Sequence, residues 1–248
     1  MKRIALAAAG CAAAVAAAQP LGVELRPFAT HENLDNGYQD WREAGAELAW
    51  RDAPGRLFAF RGRETERYGL RDREAALVMA LPIDAQWNLS LEATGASDAK
   101  VLPEWSAVAT LARTLGSGWV ASGSWKQTQY TTSEVAMATA GLERYVGNYR
   151  FGYTVYLSRP DGAAWSPTHR LTASWYGEGL TRVEIGAARG RESENTPAGL
   201  VTSDVRNFNL SGVLGISPSW GLAIDLEGQR QGDLYTRKAI RLGARVFF

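Results

Sequence analysis

Apolar and polar side chains alternate with a period of two along nearly the whole chain after its first residues, and helical spacing is hard to find. A strand with this pattern has one apolar and one polar face, so most of the chain must lie between two unlike media. In Trp220–Glu227, Trp220, Leu222, Ile224 and Leu226 share a face opposite Ala223, Asp225 and Glu227. Tyr149, Phe151, Tyr153, Val155 and Leu157 likewise oppose Arg150, Gly152, Thr154 and Ser158, with Tyr156 the aromatic exception. About fourteen such segments are expected, or twelve if the first two do not form strands.

The links between segments set the topology. Ser217–Ser219, Gly177–Gly179, Val146–Asn148, Leu115–Gly118, Pro82–Asp84 and Asp52–Gly55 read as tight turns. Between them Arg191–Thr202, Arg159–Pro167, Thr128–Ser133, Gly95–Pro103, Thr65–Asp72 and His31–Asp40 read as longer links. Alternating long and short links are expected of an all-β, antiparallel up-and-down barrel that crosses a membrane, whereas a sandwich has no reason to keep them. An even strand count puts both termini on one side, expected to be the periplasm. No composition shift divides residues 19–248, which read as one barrel domain.

The ends agree with an exported chain. Lys2 and Arg3 precede an Ala-rich apolar run, and Ala16-Ala17-Ala18 is a small-residue cleavage site, so residues 1–18 read as a secretory signal peptide. Gly10-Cys11 offers a lipid-attachment site as a competing reading, but the apolar run before it is very short. The single cysteine falls within that leader, so residues 19–248 hold neither a disulfide nor a thiol nucleophile. After the leader no stretch reaches the ~20 apolar residues of a membrane-crossing helix, whereas barrel strands need only ~9–11. The expected location is a bacterial, Gram-negative outer membrane.

If apolar faces meet lipid, charged faces meet the lumen, because a charge near the bilayer midplane costs about 2–4 kcal/mol. Arg61, Arg63, Glu143, Arg150, Arg170, Arg182, Glu184, Asp225, Glu227, Arg241 and Arg245 are the candidate lumen ligands for a solute. Glu43, Glu47, Glu92 and Lys126 fall on the same face. Most of the nine tryptophans lie on apolar faces or near strand ends, where aromatic girdles form; Trp41 is counted among them. The closing Arg245-Val246-Phe247-Phe248 places an aromatic last, and Phe248 is the expected signal to the barrel assembly machinery.

Leu142-Glu143-Arg144-Tyr145-Val146-Gly147-Asn148-Tyr149-Arg150-Phe151-Gly152-Tyr153 resembles the strand–turn–strand core of the YaiO family of outer-membrane barrels. Trp175-Tyr176-Gly177-Glu178-Gly179 resembles that family's following hairpin, and Arg245–Phe248 its closing strand. The resemblance implies a barrel in the outer membrane and carries over no catalytic motif.

Enzymatic chemistry finds little support in the residues. Of the two histidines, His31 is followed by Glu32-Asn33 and His169 by Arg170-Leu171, so neither has a serine two residues on as a nucleophile. His31 is expected in a solvated loop and His169 near an outer strand end. No metal site or cofactor is expected, and a net charge of +1 gives no field that favours nucleic acid. The expected partners are outer-membrane lipids, lipopolysaccharide and a small polar solute or glycan. The expected function is a narrow, porin-like channel or binding barrel. The alternative is a closed structural barrel whose outer loops contact surface polysaccharide or a protein.

Overall fold

The computed structural model describes residues 21–196 and 199–248, with the backbone alone over 192–196 and 199–202. The expected leader, residues 1–18, lies outside the described residues.

Fourteen antiparallel strands form a closed barrel. They are β1 (Gly22–Leu34), β2 (Trp41–Ala53), β3 (Arg56–Arg67), β4 (Leu70–Pro82), β5 (Trp87–Ser97), β6 (Trp105–Gly116) and β7 (Trp119–Tyr130). Next come β8 (Ser133–Val146), β9 (Tyr149–Pro160), β10 (Ser166–Tyr176), β11 (Arg182–Thr196), β12 (Gly199–Ser217), β13 (Trp220–Gln231) and β14 (Tyr235–Phe247). Each strand pairs with its sequence neighbours, and β1 closes on β14 with Glu24 opposite Phe247 and Thr30 opposite Arg241. The backbone N–H of Phe248 extends this seam by donating to the Val23 carbonyl at 2.9 Å. Closure leaves no unpaired strand edge, which hydrocarbon would not tolerate.

The expected rhythm of long and short links is not kept. β3 and β4 are joined by Tyr68 and Gly69 alone, both with positive φ (56° and 69°), the geometry of a two-residue type I′ hairpin. Residues expected in the long link Arg191–Thr202 instead continue the β11–β12 ladder, from Arg191 opposite Asp204 to Thr196 opposite Gly199. These segments look like loops in sequence because their side chains are polar on both faces. They extend the ladder past the apolar belt, where alternation has no unlike media to separate. His31, expected in a loop, pairs in β1 with Arg42 and Ile240 for the same reason.

The faces invert the usual globular order. Leu48, Phe60, Leu77, Leu171, Phe208 and Leu242 point outward and are exposed, whereas Glu24, Glu43, Glu74 and Arg245 are buried inside. At the end holding residues 21 and 248, Trp50, Trp119, Tyr149, Trp175 and Trp220 form an outward aromatic girdle. Arg113 lies 5.2 Å over the Trp87 ring and Arg144 5.1 Å over Trp119, so cations cap this girdle where the belt meets water. At the other end Trp105, Trp125 and Trp165 face outward, the last two in edge contact with centroids 6.1 Å apart. Trp41 departs from the girdle expectation. Its β2 position has the inward parity of Glu43, and it is 2% exposed in a cluster with Leu34 and Tyr235, with Arg67 4.6 Å over its ring.

Candidate functional site: the charged lumen

Strand parity carries every candidate lumen residue to the inside, and the register decides which of them meet. The β1–β2–β14 seam holds the densest group. Glu24 is a hub that accepts from Arg26 at 2.6 Å, from Arg51 at 2.8 Å and from Arg245. Arg26 reaches on to Glu47 at 2.6 Å. Arg61 bridges Glu47, at 3.8 Å, and Glu92, at 2.7 Å.

A second group lies one layer along the axis. Arg63 forks onto Glu74 through Nε and Nη2 at 2.9 and 2.8 Å, and donates to Glu43 through Nη1 at 2.7 Å. Glu43 also accepts from Arg241 at 2.7 Å and from the Thr65 hydroxyl at 3.2 Å. Gly45 gives this layer its room: a Cβ there would stand 2.4 Å from the Gly62 carbonyl oxygen and 2.8 Å from the Phe28 ring. Nearer the mouth, Arg237 pairs with Glu32 at 2.8 Å and with Glu227.

Across the lumen, Arg150 joins Glu143 at 3.4 Å, Ser174 and Glu184, while Arg170 meets Asn209 at 3.2 Å. The wall between these groups is small and hydroxyl-bearing, with Thr94 and Ser106 sharing a hydrogen bond of 2.9 Å. Such a wall suits hydrogen bonding to water and to hydroxylated solutes, whereas the paired charges cancel much of one another's field.

Three of the charged positions stand apart. Among the described residues Arg182, Lys126 and Asp225 belong to no ion pair shorter than 4 Å. Arg182 is exposed within the lumen and feels the like charges of Arg245 and Arg26 as well as Glu184 and Tyr176. Lys126 sits among Glu92, Glu74, Arg63 and Arg61.

The sequence reading did not single out Glu24, Arg26, Arg51, Glu74 and Arg237, which supply much of the network. The parity of β4 and β14 could have found Glu74 and Arg237, since Leu77 and Leu242 mark their outward faces. β1 gives no such signal, because Pro27, His31 and Asn33 interrupt its outward face.

His31 and His169 both lie outside the lumen. His31 faces Asp40 at 3.4 Å, and His169 Nδ1 shares a hydrogen bond of 2.7 Å with the Tyr153 hydroxyl.

A family model described as the YaiO membrane beta barrel domain matches residues 25–195. No curated protein matches the chain. Among solved structures it is similar to an outer-membrane channel from Pseudomonas putida F1, at 12% identity and a TM-score of 0.60, covering 93% of this chain and 97% of that one. It is also similar to the outer-membrane protein Omp33 of Acinetobacter baumannii, at 10% identity and a TM-score of 0.58, covering 93% and 100%. An anion-selective porin from Comamonas acidovorans aligns at 11% identity and a TM-score of 0.50, covering 92% and 99%. At these identities the likeness is one of fold.

Proposed function

The chain belongs to the YaiO membrane β-barrel family, and on that premise we propose that it is a narrow bacterial outer-membrane channel for small polar solutes, favouring those that carry a carboxylate. The observation that carries this reading is Arg182. It is an inward guanidinium open to the lumen that feels the like charges of Arg245 and Arg26, and it has no ion pair of its own among the described residues. Its planar fork suits a carboxylate or sugar acid, whereas the other lumen arginines of this layer are already held by Glu24 or Glu184. Both termini face the periplasm in this reading, and the hairpin of β11 and β12 stands on the cell-surface side.

The test is single-channel recording from the refolded protein in a planar bilayer. Steady, salt-dependent openings that prefer anions, with the preference reduced in Arg182→Gln, are expected. A second reading has its own support, since the ion-paired groups and the Trp41 cluster fill space on the β14–β4 side of the lumen. Silence from protein shown to be folded favours that closed, structural barrel.

A further inference from the structure

The outer face of β10 to β13 carries a row of basic side chains, three of them arginines, just beyond the apolar belt. His169 pairs in register with Arg189, Arg189 with Arg206, and Arg206 with Arg230. Lys238 on β14 lies one ladder step nearer the membrane, opposite Gly228. All five side chains point outward and are exposed. Adjacent strands lie ~4.8 Å apart, so three guanidinium groups emerge within ~10 Å of one another. Like charges directly opposite on a ladder repel, and this arrangement places two such arginine pairs in succession.

The acids nearby neutralise only one member of the row, Arg230. Asp204 is turned to Arg191 at 3.8 Å, and Asp233 meets only Arg230, at 3.2 Å with its own carboxylate fully exposed. Arg189, Arg206 and Lys238 form no ion pair among the described residues. On the other side of the barrel, outward cations on the neighbouring pair of strands are matched. Arg71 holds Glu66 at 3.0 Å and Arg73 holds Glu64 at 2.9 Å.

One ladder step toward the membrane the surface becomes apolar, with Leu171 opposite Ala187, Ala187 opposite Phe208 and Phe208 opposite Gly228. Leu171 and Phe208 stand proud, whereas a Cβ on Gly228 would meet nothing within 4 Å. The small residues between large ones leave a shallow apolar floor directly beneath the cations.

We propose that this face binds a lipid whose headgroup bears more than one phosphate, the phosphates lying on Arg189, Arg206 and Arg230 and the acyl chains on the floor below. The ligand is lipid-borne phosphate rather than free phosphate, because the cation row and the apolar floor are contiguous and only an amphiphile satisfies both. The site is on the outer wall and does not depend on whether the lumen conducts, so bilayer recording and lipid binding test separate claims.

The test is native mass spectrometry of the refolded barrel in zwitterionic micelles, with lipid A carrying two phosphates or none. The diphosphorylated form should be retained preferentially, and Arg189→Gln/Arg206→Gln/Arg230→Gln should weaken its retention about a hundredfold. Arg71→Gln/Arg73→Gln should leave retention unchanged. Arg206→Gln alone guards against a folding artefact: without lipid its melting temperature should hold or rise, since two repulsions are removed. Diphosphorylated lipid should then raise the melting temperature of the unmodified protein more than that of Arg206→Gln. Equal retention of both lipid forms, or full retention by the triple variant, overturns the proposal. Displacement of the lipid by inorganic phosphate, lost in the same triple variant, also overturns it by making the row a site for free phosphate.

Discussion

Arg245 on the last strand donates through Nε to Glu24 on the first, and the carboxylate it meets is fully buried. The barrel's seam is thus closed by side chains as well as by the β1–β14 ladder. Removing the charge of Glu24 leaves Arg51 and Arg245 uncompensated beside Arg26, which keeps only Glu47. Glu24→Gln should lower stability by about 3 kcal/mol, as breaking a buried pair does. Urea unfolding of the refolded protein in micelles reads this as a lower midpoint. Arg73→Gln, which opens an exposed pair with Glu64, should leave the midpoint unchanged.

The assignment of faces predicts opposite outcomes for two substitutions at one position. Ile224 points to lipid midway along β13 between Trp220 and Arg230, so Ile224→Arg should cost about 2–4 kcal/mol. Ile224→Leu should be close to neutral. Equal stability of Ile224→Arg and the parent protein in lipid vesicles would place residue 224 outside the hydrocarbon.

Gly45 should reject any side chain. A Cβ there meets the Gly62 carbonyl oxygen at 2.4 Å, and a backbone atom cannot rotate away as a flexible side-chain tip can. Gly45→Ala should therefore destabilise by about 1–3 kcal/mol. Shortening Phe28 in the same chain should restore only part of the loss, because the backbone clash remains. Unfolding midpoints of the single and double variants measure both effects.

Arg182 sets the sign of the lumen's free charge near Arg26 and Arg245. Arg182→Glu should shift the reversal potential under a salt gradient toward cations, and Arg182→Gln should shift it less in the same direction. Because Arg182 holds no ion pair among the described residues, neither substitution should alter the unfolding midpoint by more than ~1 kcal/mol.

Much of the architecture was legible because lipid and lumen impose their difference at every second residue. The inward placement of Arg150, Arg170, Glu184 and Glu227 followed directly from their apolar neighbours Phe151, Leu171, Ile185 and Leu226. Contact partners were not legible in the same way. That Glu43 meets both Arg63 and Arg241 depends on the register of three pairings, which alternation leaves free. Hairpin lengths were misread wherever strands outrun the membrane, as at Tyr68-Gly69, since alternation fades there although the ladder continues. Trp41 was misread because interfacial and lumen-facing aromatics occur at the same distance from a strand end. Parity with Glu43 separates the two.

Every strand is gripped on both sides, and this has a consequence for a broken chain. A single proteolytic cut between Tyr68 and Gly69 would leave β3 still laddered to β4 and to β2, with no new sheet edge. The two fragments would stay together through ladder hydrogen bonds and the ion pairs that cross both seams, Arg63–Glu74 and Arg245–Glu24 among them, and migrate as one species until heated. They would also form a natural split pair: two separately made pieces, each a partial sheet with two open edges, have both edges to satisfy by finding the other.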